Sequence, residues 1–140
     1  MGRLGGANPL NISALSFYGS KLYTADRTRN EIYMYDLSLG NWQATGIKYA
    51  LQSQIVDIYV DEGKIYLLDA KSNSILTYDL QGKLLSQINT KGVKELGFKK
   101  AKRILVNYQG FIYVMDSAKL YALSQEGMLM ASIDLESQCR

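Results

Sequence analysis

Apolar side chains fall in short runs that alternate with turn-forming residues. Between Gly63 and Gly82 the chain reads GKIYLLDAKSNSILTYDLQG. Two runs rich in Ile, Leu and Tyr are bounded there by Gly, Asn, Asp and Ser, a pattern that predicts two strands with a turn at each end. Ile12 to Phe17 and Ile55 to Val60 are further alternating segments, each lying just before a glycine.

The pattern repeats. A Gly, an apolar-Tyr pair and an Asp three residues beyond the Tyr occur as Gly19 with Leu22-Tyr23 and Asp26, Gly63 with Ile65-Tyr66 and Asp69, and Gly110 with Ile112-Tyr113 and Asp116. Tyr66 follows Tyr23 by 43 residues, and Tyr113 follows Tyr66 by 47. The first unit continues through Asn30, Ile32, Tyr35 and Asp36, and the second through Asn73, Ile75, Tyr78 and Asp79. The third keeps Leu120-Tyr121 and Leu123 after a turn shortened by two residues. Each then has a glycine (Gly40, Gly82, Gly127) and a short apolar strand ending at Ile47, Ile88 or Ile133. Four short strands per unit and a period in the forties are what propeller blades produce. The expected fold is all-β, with three four-stranded antiparallel blades at 12–50, 51–90 and 91–135. Residues 1–11 and 136–140 are read as tails. The first strand of the third unit has two candidates, Val93 to Phe98 and Arg103 to Tyr108, with the basic run Lys99 to Arg103 between them as an extended hairpin or lip.

The motif Gly-x-Ile-Tyr-x-x-Asp-x-x-x-Asn-x-Ile-x-x-Tyr-Asp-x-x-Gly resembles the blade consensus of NHL-type and YVTN-like β-propeller repeats, over about residues 12 to 134. The resemblance implies a ring of blades, each covering its neighbour's apolar face. Closed propellers carry four to eight blades, so three leave two faces open. Two copies about a two-fold axis would make six, and a homodimer closing a six-bladed ring is the expected assembly. The alternatives are a piece of a longer propeller, or a ring completed by another protein.

Composition adds mainly exclusions. The 140 residues are 47% hydrophobic and 11% aromatic, with 11 Tyr, enough for a packed core in one domain rich in sheet. The net charge of +3 is mildly basic and by itself names no partner. The lone Cys139 forms no internal disulfide. MGRLGGANPLN lacks the apolar run of a secretory signal, and no stretch approaches the ~18 apolar residues of a membrane span, so the expectation is a soluble chain with no membrane partner and no assigned compartment. With no His, there is no Ser-His-Asp or Cys-His centre and no zinc finger.

Asp26, Asp69 and Asp116 recur once per unit. They fit either a ring of carboxylates around an axial metal or three identical turn caps, and strict recurrence favours the caps. No metal site and no cofactor is expected. Asn30 and Asn73 suit a left-handed turn conformation, Asp36 and Asp79 a Gly-containing turn, and Tyr23, Tyr66 and Tyr113 packing between blades. In propellers similar to this one, ligands bind on the face formed by the second-to-third-strand loops and the connections between blades. Here that face carries Arg27, Arg29, Lys48, Tyr49, Lys71 and Lys119, with Gln54, Lys91 and Lys94 nearby and Glu31 and Glu95 offsetting the charge. The opposite face carries Asp61, Glu62 and Asp79. The reading is a non-catalytic binding or scaffolding module for a protein or an anionic small ligand, with nucleic acid ranked last because lysines and aromatics do not interleave along one strand. The alternative is a metal-assisted hydrolase or lyase of the six-bladed propeller type, acting at the central channel.

Overall fold

The computed structural model describes residues 9, 11–50, 52–61, 63–89 and 100–135. Three four-stranded antiparallel sheets account for them. The first blade contains β1 (Ile12–Tyr18), β2 (Lys21–Asp26), β3 (Glu31–Asp36) and β4 (Asn41–Lys48). The second contains β5 (Ile55–Asp61), β6 (Lys64–Asp69), β7 (Ser74–Asp79) and β8 (Leu84–Asn89). The third contains β9 (Arg103–Val106), β10 (Ile112–Met115), β11 (Lys119–Leu123) and β12 (Leu129–Asp134). In each blade the strands pair in sequence order as a meander. Of the two candidates for the third blade's first strand, the structure uses the one beginning at Arg103; Val93 to Phe98, and the lip as far as Lys99, lie outside the described residues.

Local chemistry places the turns. Asn30 and Asn73 adopt φ of 55° and 53°, the left-handed conformation that Asn tolerates because its short side chain bonds locally. The carboxylate of Asp26 accepts the amides of Thr28 and of Asn11, one in the turn and one in the segment entering β1. Asp69 does the same with Lys71 and Gln54, and adds the Ser72 hydroxyl at 2.8 Å. Asp116 takes the amides of Ala118 and Lys119, both at 2.7 Å, in the shortened turn. All three aspartates are buried. They are turn caps that also tie the inner strand of a blade to its second-to-third-strand turn in the first two blades. Asp36 and Asp79 cap the following turns in the same manner.

The inner strand β5 packs against β1 on one side and β9 on the other, so β1, β5 and β9 converge on what is the channel side of a propeller. Two apolar layers fill the joints. Between the first and second blades, Tyr23, Ile32, Met34 and Ile47 meet Ile58, Val60, Leu67 and Leu76. Between the second and third, Tyr66, Leu68, Ile75 and Ile88 meet Ile104, Val106, Val114 and Leu123. Polar contacts stitch the same joints: Ser16 accepts the Val60 amide, and Asp57 accepts the Ile104 amide at 2.8 Å and lies 3.4 Å from Arg103. Burial raises the Asp57 carboxyl above its ordinary value, against the lowering effect of those partners.

The two outer faces lack such layers among the described residues. Ile58 and Val60 are 2% and 4% exposed in the first joint, whereas Leu15 and Phe17, which hold the same repeat positions in the first blade, are 54% and 59% exposed. Ile88 is 8% exposed, and Ile133, its counterpart in the third blade, 49%.

Candidate functional site

Where the first and second blades meet, on the side carrying the second-to-third-strand turns, a cleft of about 270 Å³ opens. Ser13 and Ile55 contribute from the two inner strands, Arg27 and Asn30 from the β2–β3 turn, and Tyr49, Ser53 and Gln54 from the connection between blades. Its walls are fixed by hydrogen bonds. The Tyr49 hydroxyl donates to the Asp26 carbonyl at 2.9 Å, and the Tyr49 amide donates to the Asn30 carbonyl at 3.0 Å. The Ser13 hydroxyl donates across the joint to the Ile55 carbonyl at 2.9 Å. Gln54 is held by its amide on Asp69 and by its carbonyl, which accepts the Ala70 amide.

Two electrostatic features follow from this arrangement. Burial, with the Asp26 carboxylate nearby, pushes the Tyr49 phenol well up from its ordinary value, so it stays a neutral donor. Burial alone would raise the Asp69 carboxyl, but the amides of Gln54 and Lys71 and the Ser72 hydroxyl outweigh it and hold the group below its ordinary value. Arg27 is exposed at the cleft, and among the described residues its guanidinium forms no ion pair with a carboxylate. The cleft thus offers a cation, side-chain hydroxyls and carboxamides on a rigid frame, a set that can bind an anion by charge-assisted hydrogen bonds.

The residues expected on this face are dispersed rather than gathered. Arg27 and Tyr49 share the cleft. Lys71 lines a second recess of about 300 Å³ that shares Ser53 with the first and includes Asp69 and Ser72. Arg29 folds back: its guanidinium donates to the Tyr33 hydroxyl at 3.0 Å and lies 5.7 Å over the Tyr33 ring. Lys48 ends the outer strand β4 opposite Glu31, and Lys119 begins β11 in the third blade. Lys91, Lys94 and Glu95 lie outside the described residues. Ser13 and Ser53 carry no periodic signal and are not legible from sequence as cleft residues. Asn30 is legible only as a turn residue. Among the described residues no group of three or more Cys, Asp or Glu is arranged to hold a metal ion.

Residues 8–138 match the model of a family, DUF5128, described as a 6-bladed β-propeller. The chain belongs to that family. Solved structures agree on the fold. A protein of unknown function from Bacteroides caccae is 13% identical with a TM-score of 0.62, covering 88% of this chain and 45% of its own. The glutaminyl cyclase of Myxococcus xanthus is 15% identical with a TM-score of 0.65, covering 91% and 54%. A streptogramin B lyase is 14% identical with a TM-score of 0.63, covering 89% and 42%. This propeller chain therefore spans about half the length of the structures it matches, and likeness at such identity carries the fold alone. No curated protein matches the chain.

Proposed function

We propose that this propeller is a non-catalytic binding module whose ligand carries an anionic group and occupies the cleft between the first and second blades. The observation that carries this reading is Arg27, an exposed guanidinium without an ion pair among the described residues, set beside Asn30, Ser53 and Gln54 on a frame of short hydrogen bonds. Its fork geometry suits a carboxylate, sulfate or phosphate group. Lys71 in the adjoining recess extends the positive edge toward a longer anion. The recurring aspartates, the natural resource for a metal-assisted hydrolase or lyase, are engaged in turn capping.

Thermal unfolding with sulfate, citrate and an acidic hexapeptide tests the reading. At least one probe is expected to raise Tm by about 2 °C or more at saturation. Arg27→Ala is expected to weaken that binding about tenfold or more, the scale of one charge-assisted pair. Lys119→Ala, in the third blade, is expected to leave it unchanged. Failure of all three probes, or undiminished binding by Arg27→Ala, would remove the basis for the proposal, and a rise in Tm with calcium alone would favour the metal-assisted alternative.

A further inference from the structure

We propose that a second copy of this chain covers the two open blade faces, its first blade docking on the third blade of its partner and its third blade receiving the partner's first, so that two copies close one six-bladed ring. Within the chain the joint between blades is built to one rule. The isoleucine of the fourth strand lies under the turn glycine of the next blade: a Cβ on Gly82 would fall 3.6 Å from Ile47, and one on Gly127 would fall 3.0 Å from Ile88. Ile133 is the third such isoleucine and is half exposed. Among the described residues, a Cβ on Gly40, the same turn position in the first blade, would have only the Tyr35 hydroxyl within 4 Å. The contact missing on the third blade and the contact missing on the first are therefore the two halves of one joint.

The faces also differ from the internal joints in compensating directions. Phe17 stands in the first blade where Val60 and Val106 stand in the others, so that face carries extra bulk. Ala122 stands in the third blade where Met34 and Thr77 stand in the others, so that face is recessed. The recess measures about 170 Å³ and is walled by Tyr113, Leu120, Ala122, Ala131 and Ile133. A larger residue on one face and a smaller one on the other is the complementarity expected of surfaces that pack on each other. Three blades from each of two copies also match the six of the family. The two joints would be equivalent about a two-fold axis along the channel, which closes the assembly at two copies.

Sedimentation equilibrium of the 140-residue chain at micromolar concentration is expected to give twice the 15.7 kDa chain mass. Phe17→Glu and Ile133→Glu, one on each face, are each expected to return it to the single-chain mass with the strand circular-dichroism signal retained. Phe17→Ser and Ile133→Ser, milder changes at positions already half exposed, give the same readout should a glutamate variant fail to fold. A folded wild-type monomer would mean that other polypeptide covers these faces and would overturn the proposal. An open-ended ladder of oligomers, or a dimer indifferent to changes on both faces, would overturn it equally.

Discussion

Asp69 shows how much one side chain holds in this chain. It is buried, and its two oxygens receive amides from Gln54 and Lys71 and the hydroxyl of Ser72, so it joins the entry to β5 with the β6–β7 turn. Asp69→Ala leaves those donors without their acceptor and is expected to destabilise the fold by about 1–3 kcal/mol in urea denaturation. The pH dependence has a definite sign. Because the folded-state carboxyl lies below its ordinary value of 3.8, its contribution is fully present above that value and is lost as pH falls through the lower folded one. Denaturation midpoints measured between neutrality and pH 3 should therefore drop more in the wild type than in Asp69→Asn, which titrates no proton there. Asp57 opposes this trend, since a carboxyl raised by burial destabilises the fold as pH climbs through its titration, so the comparison with Asp69→Asn is what isolates the Asp69 share.

Among the elements, turns and joints are separable by glycine. Gly63 and Gly127 both have positive φ, 71° and 92°, yet among the described residues a Cβ on Gly63 meets nothing within 4 Å, whereas one on Gly127 strikes Ile88 at 3.0 and 3.3 Å. Gly63→Ala is expected to cost about 1–2 kcal/mol from backbone conformation alone. Gly127→Ala adds overpacking of the joint between the second and third blades, about 1–3 kcal/mol more, and paired chemical denaturation of the two variants checks the order. The strands themselves are legible in sequence because period-two runs, Asx turns and glycines agree from one repeat to the next, and the boundaries of the first two blades follow from that agreement. The third blade is less legible: its turn is two residues shorter, and two apolar segments compete for its first strand. The paired contact of the Asp57 carboxylate with Ile104 and Arg103 favours the segment beginning at Arg103, and a contact between blades cannot be read from a repeat pattern.

At the scale of the whole molecule, the propeller and its open faces are visible in sequence because they are properties of repetition: three units, each needing a neighbour. The cleft is not, because it depends on what repetition leaves variable. Arg27, Tyr49 and Ser53 come from one turn and one connection, and their convergence is set by the stacking of two blades rather than by spacing along the chain. Three residues expected from sequence on the side of the second-to-third-strand turns, Arg27, Tyr49 and Gln54, line the cleft. The basic set expected together on that face is dispersed: Arg29 folds onto Tyr33, and Lys48 and Lys119 lie on separate strands. The most direct test is a ¹H–¹⁵N titration of the wild-type chain with whichever of sulfate, citrate and the acidic hexapeptide raises Tm most, read by residue. The account predicts saturable shifts at Arg27, Thr28, Asn30, Ser53 and Gln54, weakening as salt is raised because the attraction is between charges at the surface. Shifts confined to Asp61, Gly63 and Asp79 on the opposite side, or none at any residue, would contradict it.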